Sequence, residues 1–273
     1  MDNPFLNFVT DIQNGVESAK TLSVSGKHSA VQSADKVLIF SPHPDDECII
    51  GLIALRLMRE AGMQVINTPV TYGSNEARRA RRAAELDNAC NYLGWSNYRG
   101  PEGRVAAQPE CYQSLEKDDI IAILTEQQPR AILVPHAKDW NSRHISTHHL
   151  VLDALADMPD GFSCSVVETE FWGAMWDPNL MVEADAELLA DLVAATSLHT
   201  EEVARNPYHL LLPSWMQDNV RRGGELVGGQ GGAAPDFKFA TLYRLSRWEN
   251  KTIRQCLDTG TMLAITDNLK EIL

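Results

Sequence analysis

Long apolar runs and basic charge are both scarce in this sequence of 273 residues. No apolar run reaches the ~20 residues that a membrane-spanning helix needs, which argues against an integral membrane protein. Lysine and arginine together number 24 against 37 acidic residues, giving a formal charge of -13. A protein of this charge is poorly suited to the phosphate backbone, so we expect no nucleic acid among its partners.

Paired cysteines are also lacking. The five cysteines are widely spaced and include no CxxC pair, which favours reduced thiols over a disulfide framework. The first 20 residues have an acid at position two and no apolar core flanked by lysines, so we expect no secretory signal. These features predict a cytoplasmic protein. The cysteines are Cys48, Cys90, Cys111, Cys164 and Cys256.

The chain does contain a regular alternation of strand-like and helix-like segments. The run KVLIF at 36–40 is short and apolar, which is typical of a buried strand, and from Glu47 apolar residues recur at helical spacing. This order predicts an α/β, Rossmann-like fold with a mostly parallel sheet and helices on both faces. Further strands are expected near 64–73, 130–136 and 164–175, and further helices near 75–94, 117–128 and 146–158.

The pattern divides the chain into three parts. Residues 1–35 are mixed and polar and form an N-terminal arm, and residues 36–184 form the Rossmann-like core that would carry the site. Residues 185–273 change to helices, a glycine cluster and a strand, which we interpret as a C-terminal cap on the same domain. The glycine cluster lacks the strand and helix context of a phosphate loop. With the aromatic residues of this region it could form an interface between copies of the chain.

The join between the first strand and the first core helix is strongly charged. It reads His43, Pro44, Asp45, Asp46, Glu47 and follows the C-terminal end of a strand, where sheets of this type bind ligands. One aspartate would suffice to cap the helix, and capping does not explain the histidine. A histidine and an aspartate three residues apart across a turn can converge on one metal ion, which leaves the aspartate between them free. We therefore interpret His43 and Asp46 as metal ligands.

A third ligand can come from the segment after the strand near 130–136. This segment contains Asp139, His144, His148 and His149, and it should face the first cluster from the end of its own strand. His148 and His149 lie about 100° apart around a helix, so only one of them is expected to point at the same metal. The residues alone leave the choice open. Asp139 is a candidate for orienting a histidine ring, or equally for capping a loop.

These segments resemble the PIG-L/LmbE-like zinc-dependent N-deacetylases, which remove acetyl groups from molecules containing N-acetylglucosamine. The strand followed by His43-Pro44-Asp45-Asp46 matches the family's His-Pro-Asp-Asp signature, and the similarity extends over residues 36 to 210. The resemblance implies that His43 and Asp46 bind zinc and that Asp45 is the general base. It also implies that Arg82, in an Arg-x-x-Glu helix, contacts the substrate.

The chain departs from the family at the third ligand. The family pattern is His-Pro-Asp-His, with two histidines three residues apart, whereas residues 144–149 read HISTHH. Aligning the apolar helix that follows makes His148 the third ligand and His144 the catalytic histidine on the oxyanion side. His149 stays open as an alternative ligand.

Aromatic residues near the expected site could stack on a sugar ring. Trp140 and Trp176 are our substrate-binding candidates, and Trp172 lies in the same region, although a tryptophan more often serves in packing. The remaining arginines of the Arg82 helix are interpreted as a solvated basic face: Arg78, Arg79 and Arg81.

The predicted function is a metal-dependent hydrolase that removes the N-acetyl group from an N-acetylglucosamine-containing sugar or glycoconjugate. Zinc would activate the water, and Fe(II), Mn(II) or Co(II) could replace it because a His-His-Asp site accepts all of these. The expected partner is a small-molecule aminosugar. The alternatives are an amidase for a larger thiol-sugar or inositol glycoside conjugate, and a non-catalytic sugar-binding relative. Asp45 argues against the last, since a metal site does not require it.

Overall fold

The computed structural model describes residues 3–98 and 114–273. Its helices are α1 (Leu6–Ala19), α2 (Asp46–Ile50), α3 (Leu52–Ala61), α4 (Glu76–Leu93), α5 (Lys117–Gln127), α6 (Ser142–Asp157), α7 (Ala186–Ser197), α8 (Thr200–Arg205) and α9 (Tyr208–Leu226). Its strands are β1 (Lys36–Ser41), β2 (Gln64–Pro69), β3 (Ser96–Asn97), β4 (Ala131–Pro135), β5 (Cys164–Thr169), β6 (Leu180–Ala184), β7 (Phe239–Glu249), β8 (Thr252–Gln255) and β9 (Thr261–Leu263).

One sheet joins these strands in the order β3-β2-β1-β4-β5-β7-β6-β9, with β8 paired to β7. The strands from β3 to β5 run parallel, and β7 is antiparallel to both of its neighbours β5 and β6. The predicted α/β fold with a mostly parallel sheet is confirmed. Residues 185–273 extend the core as well as cover it, because β7 inserts into the sheet while α7 and α9 pack on its face.

Strand β1 lies at the centre of the parallel part and is buried on both faces. Val37 and Ile39 pack into one apolar cluster, and Leu38 and Phe40 pack into another on the opposite face, as the two-residue period of a strand requires. The chain leaves β1 for β2 on one side and returns to β4 on the other. Such a reversal opens a crevice at the C-terminal ends of the strands.

The helix predicted from Glu47 is divided in two. α2 ends at Ile50 and α3 starts at Leu52, with Gly51 between them. A Cβ at Gly51 would lie 2.3 Å from the carbonyl oxygen of Glu47 and 2.5 Å from the Trp95 ring, so only glycine fits this position. Because Gly51 separates the two helices, the short α2 and the charged turn stay together at the end of β1.

A buried arginine ties the C-terminal segment to the core. The side chain of Arg56 is fully buried and donates to the carbonyl oxygens of Glu183 at 3.1 Å and Ala264 at 3.0 Å, while its Nε bonds Glu60 at 2.6 Å. An unpaired buried guanidinium would be costly, so these carbonyls and the carboxylate fix the segment after β9 against α3.

The N-terminal helix α1 contains no buried residue, and Phe5, Leu6 and Phe8 are largely exposed. None of the helices within the described residues is long and apolar enough to cross a membrane. Cys48, Cys164 and Cys256 are free thiols, and Cys111 lies outside the described residues.

Candidate metal centre

Four parallel-sheet loops meet at the crevice above β1 and enclose a cavity of about 250 Å³. The loop after β1 contributes His43, Asp45 and Asp46, and the loop after β4 contributes Asn141. Tyr72 to Asn75 come from the loop after β2 and Phe171 and Trp172 from the loop after β5, while Glu202, Arg205 and Tyr208 reach in from α8 and α9.

Three side chains converge at the floor of this crevice: His43, Asp46 and His144, with one ligating atom of each within 4.8 Å of the others. Asp46 Oδ2 lies 3.3 Å from His43 Nδ1 and 3.4 Å from His144 Nε2. The same oxygen accepts the backbone N–H of His43 at 2.8 Å. Burial raises the pKa of Asp46, but the two histidines outweigh this effect and hold the pKa below its usual value.

The Asp139 carboxylate orients His144. Asp139 Oδ2 lies 3.6 Å from His144 Nδ1, and both side chains are buried. Burial lowers the pKa of His144, but the charges of Asp46 and Asp139 outweigh it and raise the pKa. Asp139 therefore has the orienting position that was one of its two predicted roles.

The cluster fits a divalent metal ion. His144 Nε2 is buried, faces Asp46, and has no hydrogen-bond partner among the described residues. An orphaned nitrogen of this kind is costly unless a ligand satisfies it. Two imidazole nitrogens and one carboxylate are a donor set of the type that holds zinc with an open coordination position.

The histidine that joins His43 and Asp46 is His144 rather than His148, the predicted third ligand. His148 lies one helical turn beyond His144 on α6, where its Nδ1 lies 2.9 Å from the Pro135 carbonyl oxygen and 3.6 Å from Glu168. His149, the alternative, is exposed and packs edge-on against His148. His144 takes the place in the cluster instead, because α6 begins at Ser142 and its first turn is level with the ends of β1 and β4. Its two nitrogens face Asp139 and Asp46, so it is not positioned as the predicted oxyanion histidine.

Asp45 lines the cavity beside the cluster in a strained backbone conformation. Its φ of 114° lies in a region that residues other than glycine rarely adopt, at a cost of about 1–3 kcal/mol. Its N–H donates to Glu47 Oε2 at 2.9 Å. Burial raises the pKa of Asp45 well above its usual value, the neighbouring Asp46 raises it further, and Arg82 opposes both. A raised pKa suits a carboxylate that must accept and return a proton.

A second buried group lies behind Asp45. Glu47 Oε1 is 2.8 Å from His199 Nε2 and 3.1 Å from Cys48 Sγ, and all three side chains are buried. Although these residues could hold an ion, their polar atoms already bond one another and Asp45, so we interpret them as a hydrogen-bond network. His199 was not among the predicted site residues, and no local pattern in the sequence pairs it with Glu47.

Arg82 lies in the cavity wall, as expected, but its guanidinium faces the protein backbone. Nη2 donates to the Pro44 carbonyl oxygen at 3.0 Å and Nη1 to that of Tyr72 at 3.4 Å. Arg82 thus holds the loop between His43 and Asp46 against the loop after β2. Its predicted contact with substrate stays a prediction.

The tryptophans are arranged differently from the prediction. Trp172 lines the cavity and packs against Phe171, with ring centroids 4.8 Å apart. Trp140 is 77% exposed and lies outside the cavity, 6.2 Å from the Trp172 ring. Trp176 does not reach the cavity, because the chain after β5 has moved on to a separate groove beside α9. Trp172 therefore replaces Trp176 as an aromatic wall residue.

Several cavity residues were not anticipated. Arg78 lines the cavity wall, although it was predicted to lie on a solvated face. Arg78 stands four residues before Arg82 on α4, so both lie on one helix face, and this spacing could have revealed its place in the wall. Glu202, Arg205 and Tyr208 come from the C-terminal third, and no sequence pattern linked them to the charged turn.

A family model matches the part of the chain that carries the candidate metal cluster. Residues 38–155 match the family model PIG-L: GlcNAc-PI de-N-acetylase. No curated protein sequence matches the chain significantly.

Solved structures share the fold at low identity. The conserved protein TT1542 from Thermus thermophilus is 17% identical, with 76% of this chain and 93% of that one covered and a TM-score of 0.55. GalB, the 4-carboxy-2-hydroxymuconate hydratase from Pseudomonas putida KT2440, is 16% identical over 77% and 95%, with a TM-score of 0.59. The N,N'-diacetylchitobiose deacetylase from Pyrococcus horikoshii is 17% identical over 90% and 93%, with a TM-score of 0.53.

Identities this low establish a common fold, whereas the family model matches the sequence itself over the charged turn, Asp139 and α6. The resemblance inferred from the sequence is thereby confirmed for residues 38–155, the part of this chain that matches the PIG-L family model.

Proposed function

We propose that this protein is a metal-dependent hydrolase that removes the N-acetyl group from a small-molecule aminosugar or its conjugate. The family match over residues 38–155 supports the reaction class. The observation that carries the proposal is the juxtaposition at the cavity floor: the His43, Asp46 and His144 cluster, with its orphaned His144 Nε2, lies beside a free carboxylate, Asp45.

His43, Asp46 and His144 would hold the ion in this proposal. When bound, zinc or another divalent metal would supply Lewis acidity and activate water at neutral pH. Asp139 holds the orientation of the His144 ring, and the hydrogen bond from the His43 N–H fixes the Asp46 carboxylate. The donor set alone does not select zinc over Fe(II), Mn(II) or Co(II).

Asp45 is assigned as the general base. Its buried carboxyl would take the proton of the attacking water and then return that proton to the leaving nitrogen, so that the amide C–N bond breaks to give acetate and an amine. The raised pKa of Asp45 favours both transfers, because a carboxyl with an ordinary pKa would be a poor acid at neutral pH.

Asn141 is assigned as the donor to the developing oxyanion. It lines the cavity and stands three residues before His144, where the family pattern has its first histidine. Its Oδ1 accepts the Arg143 N–H at 2.9 Å as the cap of α6. The amide oxygen is therefore turned to the helix, which leaves the NH2 group to donate towards the cavity.

Acetate release from N-acetylated sugars tests the proposal. We expect acetate from the metal-loaded wild type, and at least about a 1,000-fold lower kcat for Asp45→Asn at equal metal content. Treatment with a chelator should abolish release, and adding metal back should restore it. Retained activity in Asp45→Asn would remove that residue from its assigned role.

The fold by itself is compatible with another reaction class, since one solved structure with this fold is described as a hydratase. A metal-loaded protein that binds sugars but releases no acetate from any N-acetyl substrate would exclude the deacetylase. The amidase for a larger conjugate is distinguished by release of a longer acid than acetate, and a sugar-binding relative by binding without turnover.

A further inference from the structure

An arginine cluster stands at the mouth of the cavity. Arg78 and Arg82 from α4 and Arg205 from α8 surround the carboxylate of Glu202, whose side chain is only 4% exposed. Glu202 Oε1 lies 2.8 Å from Arg78 Nη2 and 3.8 Å from Arg82 Nε, and Arg205 bonds the other carboxylate oxygen. One buried acid thus fixes three guanidinium groups.

The cluster retains an excess of positive charge. Arg78 also binds Glu201 at 2.6 Å, so three guanidinium groups face two carboxylates. If Arg81 and Glu85 are included, four guanidinium groups face three carboxylates, so the excess charge is still positive. A divalent ion at the floor would offset the charges of Asp45 and Asp46, so this wall would be electropositive in a protein of net charge -13.

Within the part of the chain that the structure describes, some guanidinium donors on this wall make no hydrogen bond to protein. The bonds to Glu201 and Glu202 occupy Nε and Nη2 of Arg78, and the bond to Glu202 occupies Nη2 of Arg205. A guanidinium carries five N–H donors in a planar fork, which matches the oxygens of a carboxylate or phosphate.

Arg56 shows what an arginine with a purely structural role looks like in this protein. Its side chain is fully buried and meets backbone carbonyls and Glu60. In contrast, the side chains of Arg78 and Arg205 are 29% and 62% exposed and open into the same cavity as Asp45. A network that only tied α4 to α8 would not need to present guanidinium edges to the cavity.

We propose that the substrate carries an anionic group, a carboxylate or a phosphate, which Arg78 and Arg205 bind while the N-acetyl group lies at the floor. The placement of the N-acetyl group at the floor rests on the proposed function, whereas the anion-binding part of the inference does not. Glu202 is a positioning residue here, because it holds the two guanidinium groups and would itself repel the anion. Arg82 contributes charge, since its Nη atoms bond the backbone.

Matched sugars test the inference: neutral N-acetylglucosamine, its 6-phosphate, and N-acetylmuramic acid, which carries a carboxylate. For the metal-loaded wild type we expect kcat/KM to be at least about tenfold higher for one or both anionic sugars. The phosphate and carboxylate arms identify which anion fits. The preference should weaken between 50 and 500 mM salt, because the exposed arginine edges are screened.

Three variants separate recognition from general damage. The anionic-to-neutral ratio of kcat/KM should fall towards one in Arg78→Gln and in Arg205→Gln. Arg221→Gln is the control, since Arg221 forms the same i,i+3 pair with Asp218 that Arg205 forms with Glu202 but lies outside this cavity. The ratio should not change in Arg221→Gln. A ratio of about one in the wild type, or a preference that survives in both Arg78→Gln and Arg205→Gln, overturns the inference.

Calorimetric titration of metal-loaded Asp45→Asn with the same sugars makes the result independent of turnover. Tighter binding of an anionic sugar by Asp45→Asn, together with no acetate release by the metal-loaded wild type, would support the anion site and contradict the deacetylase. Equal binding of all three sugars by Asp45→Asn, together with acetate release from each by the metal-loaded wild type, would support the deacetylase and overturn the anion site. Absence of any anion-dependent binding overturns the inference whatever the activity.

Discussion

His199 and Glu47 are 152 residues apart in the chain, yet His199 Nε2 lies 2.8 Å from Glu47 Oε1 in a fully buried contact. The other oxygen of Glu47 accepts the backbone N–H of Asp45. The contact thus connects the N-terminal end of α8 to the strained turn that presents Asp45 to the cavity.

Loss of this contact should impair catalysis more than binding. We expect His199→Leu to lower the kcat of acetate release by about 10- to 100-fold with little change in KM, because Asp45 would relax from its strained conformation. His199→Gln, which can still donate to Glu47, should recover part of the loss. If kcat falls only in proportion to the folded fraction measured by circular dichroism, the contact serves stability alone.

Metal affinity should separate His144 from His148. We expect His144→Ala to lower metal affinity by more than about 100-fold, because it removes one of three converging ligands. His148→Ala should retain the metal but lose about 1–3 kcal/mol of unfolding free energy, since the Pro135 carbonyl loses its partner. Elemental analysis after dialysis and thermal unfolding provide the two readouts. The opposite pattern would restore His148 as the ligand.

The stability of the metal-free protein should depend on Asp45 and pH. Burial and Asp46 raise the pKa of Asp45, so its contribution to stability is full below the unfolded pKa of about 3.9 and is lost as pH rises through the folded pKa. Chelated Asp45→Asn should therefore unfold at a higher temperature than chelated wild type at pH 7, by roughly 2–4 °C per kcal/mol. The advantage should shrink towards pH 4.

Asp160→Asn serves as the control for that comparison, because the Asp160 side chain is 95% exposed. It should unfold like the wild type at every pH. If chelated Asp45→Asn also unfolds at the wild-type temperature at every pH, the ionised Asp45 carboxylate is not destabilised by its surroundings.

Asn141 should matter in the transition state. Asn141→Ala removes the amide donor and is expected to lower kcat by about 10- to 1,000-fold with KM little changed. Asn141→Asp retains the cap of α6 but replaces the donor by a negative charge, so kcat should fall at least as far. A loss confined to thermal stability, with kcat intact, would reduce Asn141 to its capping role.

The positions of His43 and Asp46, two of the three proposed ligands, could be predicted because the pattern that places them is local. Strand, turn and helix follow one another between Lys36 and Ile50, so the pattern alone places His43 and Asp46 at the end of β1. The choice between His144 and His148 as the third proposed ligand required knowing which turn of α6 meets that end. His144 and His148 share a helix face and differ by about 6 Å along the axis, a difference that residue spacing does not decide.

The sequence pattern also could not predict contacts between elements that are far apart in the chain. The short strand β6 and the insertion of β7 between β5 and β6 depend on packing of the whole sheet. Likewise, Glu202 and Arg205 join Arg78 only after α8 packs beside α4, and a helical charge pattern cannot specify that contact. Trp176 was misplaced for the same reason: proximity in sequence to β5 did not predict the path of the loop.

The cavity is assembled from two stretches of chain, one inside and one beyond the residues that match the family model. The candidate metal cluster, Asp45 and Asn141 all fall within residues 38–155, which match the family model, whereas part of the wall comes from beyond them: Phe171, Trp172, Glu202, Arg205 and Tyr208. The proposed reacting groups therefore lie in one stretch, whereas the proposed anion-binding pair is divided between the two, with Arg78 in the first and Arg205 in the second. Exchange of the wall could redirect the same chemistry to a new compound while the reacting groups stay intact, which makes residues 171–208 the region to redesign.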